Sequence, residues 1–161
     1  MRPPIVILAG GKGTRLGDLT KDIPKPMVEV CGKPFLHWLI ERYVEQGFAD
    51  NIVVSTGYQK EIITNYPWPW NLAFYPDLAE KSHLDFYDTA GMWVVNGDTW
   101  ILRDLPDTST PIVMNDHGID AGAQFTGLGK ARLVQTAFYD IGTPSGLERF
   151  REYFTTHLDK K

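Results

Sequence analysis

Residues 8–16 read Leu8-Ala9-Gly10-Gly11-Lys12-Gly13-Thr14-Arg15-Leu16, three glycines and two cations directly after the apolar run Ile5-Val6-Ile7-Leu8. A loop of this composition is suited to anions. Glycines let backbone N–H groups approach oxyanions without side-chain obstruction, and Lys12 and Arg15 add positive charge. An ordinary glycine-rich strand-to-helix turn would have the same glycines without needing the two cations. Two common phosphate loops do not fit. A Walker loop ends in Gly-Lys-Ser/Thr, whereas Gly11-Lys12 is followed by Gly13. A dinucleotide fingerprint counted from Gly11 and Gly13 requires glycine where Leu16 stands, which argues against a dehydrogenase.

The elements that would position this loop follow from hydrophobic patterning. Ile5 to Leu8, Asn51-Ile52-Val53-Val54-Ser55 and the run from Met92 to Asn96 are continuously apolar rather than alternating, as in parallel strands buried on both faces. Between the first two, residues 34–46 place Phe35, Leu36, Leu39, Ile40, Tyr43 and Val44 at helical spacing, with Pro34 at the start and Gly47 past the end. Residues 59–65 predict a short helix before the Pro67-Trp68-Pro69-Trp70 interruption, and residues 72–75 an edge strand. Loops and short strands are predicted from Trp100 to Val134. Thr143-Pro144 reads as an N-cap and first helical residue, opening a helix through about Phe154. This alternation predicts an α/β fold with a mostly parallel, mixed-edge sheet whose ligands sit at the carboxyl ends of its strands.

A chain of 161 residues suits one domain over residues 1–161. The net charge of −4 argues against a broad nucleic-acid surface. Cys31 is the sole cysteine, which excludes an intramolecular disulfide and a cysteine-rich zinc site. The apolar run of residues 5–9 is too short for a membrane span or signal core, so a cytoplasmic protein without membrane association is expected. His37, His83, His117 and His157 are scattered without zinc spacing, and His37 reads as a surface or boundary residue. Trp68, Trp70, Phe74, Tyr75, Phe86 and Tyr87 read as core aromatics more readily than as a cover for a base or partner.

Gly10-Gly11-Lys12-Gly13-Thr14-Arg15-Leu16 resembles the signature of the sugar-1-phosphate nucleotidylyltransferases, the nucleotide-sugar pyrophosphorylases. Ile23-Pro24-Lys25-Pro26-Met27 resembles their second motif, and Val30 to Trp38, with Gly32-Lys33-Pro34, the lead into their next helix. The resemblance implies a Rossmann-like three-layer α/β/α domain. It also implies that Leu8, Ala9, Gly10, Gly11, Lys12, Gly13, Thr14 and Arg15 hold an NTP, with Arg15 at the departing pyrophosphate. Lys25 would neutralise phosphate oxygens near the reacting centre, although alone it also reads as a solvated lysine between turn prolines. Val94-Val95-Asn96-Gly97-Asp98 resembles the family's metal-binding strand end, and Tyr139-Asp140-Ile141-Gly142-Thr143-Pro144 its late aspartate-glycine-threonine segment. Asp98 and Asp140 would thus hold Mg²⁺, or Mn²⁺, with a turn-capping role as the alternative for Asp98. Asp88-Thr89-Ala90-Gly91-Met92 resembles a shortened loop near the base, implying nucleotide contacts from Thr89, Ala90 and Gly91. Ile119-Asp120-Ala121-Gly122 resembles an acceptor-side motif with Asp120 where Asn is usual, implying acceptor contacts from Asp120 and Gly122. Both also read as small-residue turns.

Gly91-Met92-Trp93 runs straight into a strand where family members insert a helix, and the Glu-Lys element that helps hold the sugar phosphate has no counterpart. The chain resembles a trimmed member. Three readings stay open: a smaller phosphorylated acceptor, a site completed in a homo-oligomer, and nucleotide binding without turnover as a regulatory module. The resemblance favours an enzyme that takes an NTP and a sugar 1-phosphate or similar small phosphorylated acceptor, with guanylyl, cytidylyl, uridylyl and thymidylyl transfer all open.

Overall fold

The computed structural model describes residues 2–76 and 91–158. Seven strands form one sheet: β1 (Ile5–Leu8), β4 (Ile52–Thr56), β5 (Ala73–Pro76), β6 (Trp93–Asn96), β8 (Ile112–Asp116), β9 (Ile119–Phe125) and β10 (Arg132–Gln135). Their order is β10-β8-β9-β6-β1-β4-β5. β1 pairs in parallel with both β4 and β6, and only β9 runs against its neighbours, β6 and β8. The sheet is therefore mostly parallel and mixed. Ile5 and Ile7 point into the main core while Val6 joins Met92 and Val94 in a second cluster, so both faces of β1 are buried and no polar alternation survives.

Two short pairs complete the scaffold: β2 (Glu29–Val30) with β3 (Lys33–Pro34), and β7 (Thr99–Ile101) with β11 (Phe138–Asp140), both antiparallel. Helix α1 (Phe35–Tyr43) is shorter than the predicted 34–46 because residues 44–48 widen into a looser turn broken by Gly47, φ 97°. Helix α2 spans Lys60–Thr64. Helix α3 (Pro144–Leu158) runs past the predicted end at Phe154. Its extension is closed by the Thr155 and Thr156 hydroxyls, which donate to the carbonyls of Arg151 and Glu152, and by Tyr153 stacking on His157 at 4.1 Å. At its start the Thr143 hydroxyl accepts from the Gly146 N–H at 3.1 Å, the expected N-cap bond.

The first helical residue of α1 and the middle of α3 meet around β7. Phe35 and Phe150 lie 5.2 Å apart centre to centre, and Trp100 packs on Phe150 at 5.3 Å and on Phe154 at 5.6 Å. This aromatic contact fixes the β7–β11 pair against the helices. The consequence for the site is direct, since the pair places Asp140 opposite Thr99.

His37 is buried rather than at a boundary, only 7% exposed. Its Nδ1 pairs with the Tyr66 hydroxyl at 3.0 Å, and Trp68 and Trp70 pack around the ring. The Pro67 to Trp70 interruption thus covers α1, which a helical pattern read alone does not reveal. Trp68, Trp70 and Phe74 pack against the core as expected, Tyr75 is exposed, and Phe86 and Tyr87 lie outside the described residues. Burial, reinforced by Lys33 and opposed by Glu41, holds the imidazole pKa below its ordinary value of 6.5. The unfolded chain therefore binds the extra proton first, and stability falls as pH drops through 6.5 toward the folded value. Melting the protein between about pH 7.5 and about pH 5.5 should show a decline that His37→Gln reduces.

Candidate active site

The loop after β1 is shaped by close backbone approaches. A Cβ on Gly57 would stand 3.1 Å from the Gly10 carbonyl, so the turn after β4 lies against the loop's first glycine. At Gly13, φ is +67° and a Cβ would sit 2.8 Å from Cβ of Lys25, which leaves glycine as the residue that fits. Lys25 runs beneath the loop. Its N–H donates to the Gly11 carbonyl at 3.3 Å and its side chain passes Gly11 and Gly13. Thr20, buried and unnoticed in the sequence, donates its hydroxyl to the Gly13 carbonyl at 2.6 Å and fastens residues 14–20, two short 3-10 turns joined at Gly17. Lys12, Thr14 and Arg15 are exposed along this loop.

Leu8 and Ala9 carry the strand end into it. The Leu8 carbonyl accepts from the Gly97 N–H at 2.8 Å, and the Ala9 N–H donates to Ser55 at 2.8 Å. The first bond joins the glycine-rich loop to the Asn96-Gly97-Asp98 turn. A Cβ at Gly97 would lie 2.7 Å from that same Leu8 carbonyl, so glycine permits the two turns to touch.

Lys25, Asp98 and Asp140 converge. Lys25 Nζ donates to Asp98 Oδ2 at 2.7 Å, with side chains 16% and 20% exposed, so neither charge is fully solvated. Asp98 Oδ1 accepts from the Thr99 hydroxyl at 3.1 Å. The Ile141 N–H donates to the Asp98 carbonyl at 3.0 Å, which ties the end of β11 to this turn. Asp140 Oδ1 accepts from the Gly142 N–H at 2.6 Å. Asp140 Oδ1, Lys25 Nζ and Asp98 Oδ2 all lie within 3.6 Å of the point where a Cβ on Gly142 would stand. Three residues far apart in sequence therefore face one small volume beside the glycine-rich loop.

The acceptor-side candidates come to a neighbouring place. Asp120 and Gly122 line a cavity of about 120 Å³ together with Leu8, Val94, Asn96, Ala123 and Gln124. Asp120 Oδ1 accepts from the Gly122 N–H at 2.7 Å, and Gly122 has φ +76° with a Cβ there only 2.7 Å from the Asn96 amide. Asn96 is a pocket residue the sequence did not single out, because Asn-Gly reads first as a turn. Gly91 is not brought to the loop. It precedes the amino end of β6, whose first residue bonds Pro4, whereas the phosphate loop follows the carboxyl end of β1. At ~3.3 Å per strand residue, Gly91 lies roughly 16 Å from Asn96. Thr89 and Ala90 lie outside the described residues.

Among the described residues no group of three or more His, Cys, Asp or Glu side chains could hold a metal, and no helix is long and apolar enough to cross a membrane.

Residues 5–67 match the family model described as nucleotidyl transferase. The UTP–glucose-1-phosphate uridylyltransferase AglF of Haloferax volcanii is 54% identical over 61 residues, 38% of this chain and 25% of that protein. The mannose-1-phosphate guanyltransferase 2 of Candida glabrata is 26% identical over 162 aligned positions, 91% of this chain and 44% of that protein. The chain thus spans less than half the length of these curated relatives. Among solved structures, HddC from Yersinia pseudotuberculosis superposes with a TM-score of 0.74 at 22% identity, over 94% of this chain and 99% of that one. The sequence match covers the glycine-rich loop and Lys25, and the structural match shows that the chain shares the fold of HddC through Asp98 and Asp140.

Proposed function

We propose that this protein transfers a nucleotidyl group from an NTP to a sugar 1-phosphate or similar small phosphorylated acceptor and releases pyrophosphate. The observation that carries the proposal is the convergence of Lys25, Asp98 and Asp140 on the Gly142 N–H side of the phosphate loop. Two bare carboxylates beside nucleotide phosphates would repel them, so their placement there points to a bridging cation. Two carboxylates and an adjacent phosphate suit a hard divalent cation such as Mg²⁺, or Mn²⁺, which takes one or two protein carboxylates and completes its shell with phosphate oxygens and water. The donor set fits such a group, with Asp98 and Asp140 as its protein ligands; when bound it would neutralise charge on the reacting phosphates.

In this reading the acceptor's phosphate oxygen attacks the α-phosphorus, a new P–O bond forms, and the bond to the bridging oxygen of the β-phosphate breaks. The acceptor is already anionic, so neither aspartate has to remove a proton. The work of the chain is alignment and charge neutralisation. Backbone N–H groups of residues 10–14 and the Arg15 guanidinium hold the pyrophosphate end. Lys25 supplies an ammonium beside the reacting centre, and Asp120, Gly122 and Asn96 border the acceptor.

The relatives named above support this reading through their names, and HddC has also been solved complexed with GMP-PN. A screen of the four NTPs against hexose, heptose and smaller phosphorylated acceptors, with Mg²⁺ or Mn²⁺, is expected to give acceptor-dependent pyrophosphate for at least one pair. NTP binding without turnover for any pair, even at high protein concentration, would leave the enzyme reading without support.

A further inference from the structure

One residue outside the reacting cluster touches the phosphate loop at its start, middle and end. Tyr58 stands at the turn after β4. Its N–H donates to the Gly10 carbonyl at 3.3 Å. Its ring lies 5.9 Å from the Lys12 ammonium, and its hydroxyl donates to the Lys21 carbonyl at 2.6 Å and approaches the Thr20 carbonyl at 3.5 Å. The corner is otherwise unfavourable, because Gln59 adopts φ 52°, a left-handed conformation that suits glycine better. Contacts must hold it.

We propose that Tyr58 is a positioning residue that keeps residues 10–21 in the phosphate-competent conformation and orients Lys12 toward the phosphates. The hydroxyl closes the far end of the loop onto the scaffold. The ring face gives the flexible Lys12 side chain an electrostatically favourable resting place at the loop's edge. Exposed loops rich in glycine sample many conformations, and a ligand's apparent affinity falls in proportion to the fraction in the competent one. Tyr58 would raise that fraction before the nucleotide arrives, with its backbone bond placing the ring and its hydroxyl fixing Thr20 and Lys21. The inference rests on the phosphate-binding reading of the loop, yet it concerns a residue that need not touch the reacting atoms.

The test separates the two. Tyr58→Phe removes the hydroxyl and keeps the ring, while Tyr58→Leu removes both. Trypsin cuts after Lys12, Arg15 and Lys21, so its rate at these bonds reports loop opening in the native chain, and calorimetry with inorganic tripolyphosphate reports phosphate binding without requiring turnover. For Tyr58→Phe with an unchanged melting temperature, cleavage after Arg15 and Lys21 should accelerate about fivefold and tripolyphosphate affinity should fall about fivefold, as for one lost hydrogen bond. Tyr58→Leu should exceed both effects and make Lys12→Ala nearly silent in its background. Native rates of loop cleavage and native affinity in Tyr58→Phe would overturn the proposal. Accelerated cleavage in a protein whose native form binds no tripolyphosphate would instead overturn the phosphate reading and leave the latch standing. If Tyr58→Leu fails to fold, the Phe variant carries the decision.

Discussion

Replacing Asp98 with Asn is expected to lower nucleotidyl transfer by at least about 100-fold while NTP binding stays within a few-fold of native. The asparagine keeps the size of the side chain, so the turn joining Leu8 and Gly97 and the hydrogen bond from Thr99 can persist. What it removes is the negative charge that Lys25 faces at 2.7 Å. The effect on turnover arises because the proposed cation would lose one of its two protein ligands. Binding responds differently. With its carboxylate partner neutralised, the Lys25 ammonium is freed for phosphate oxygens, so metal-free NTP binding should be retained or tightened. Initial-rate kinetics beside calorimetry with and without Mg²⁺ measure both arms. Native turnover in Asp98→Asn would sink the metal-ligand assignment, and a parallel loss of binding would recast Asp98 as structural.

The second large effect is expected at a residue that carries no chemistry. Gly142→Ala should reduce turnover about 10- to 100-fold with little change in melting temperature. Gly142 is buried, and its backbone is outside the left-handed region, so alanine imposes no conformational strain. Its methyl would instead stand 2.9 Å from Asp140 Oδ1 and 3.5 Å from Lys25 Nζ. The carboxylate would have to move away from the Gly142 N–H that now positions it at 2.6 Å. Displacements of this size are small for folding and large for in-line transfer. Full activity in a folded Gly142→Ala protein would mean that Asp140 is not needed where the structure places it. The two variants also differ in kind, since Asp98→Asn changes charge with shape preserved and Gly142→Ala changes shape with charge preserved.

The glycine-rich loop after β1 is legible in the sequence because its information is local: glycines, cations and the preceding apolar run sit within a dozen residues. The motif around Lys25 is legible for the same reason. The meeting of Asp98 with Asp140 was not readable from local pattern, because it depends on a three-residue antiparallel pair and on the packing of Phe35, Trp100 and Phe150 behind it. The family resemblance named the two aspartates, and the fold supplied their proximity. β9 is a seven-residue strand that local pattern renders only as loops and short strands, since Ile119-Asp120-Ala121-Gly122-Ala123-Gln124-Phe125 carries glycine and polar residues on one face. Gly91, named by motif wording alone, lies before the amino end of β6, away from the glycine-rich loop. The burial of His37 is not readable from its own helix because the residues that cover it come from a later segment whose prolines read only as an interruption.

β1 lies between β4 and β6, and both of its partners come later in the chain. On a ribosome, then, β1 and the glycine-rich loop after it are made before either of the strands that flank them. One edge of β1 stays open until residues 52–56 have been made, and the other until residues 93–96 have followed. Such non-local pairing is slow to form and leaves apolar edges exposed in the interval. The Leu8–Gly97 bond comes last of all these contacts, so the nascent chain cannot bring the glycine-rich loop against the Asp98 turn before the strand bearing that turn has docked.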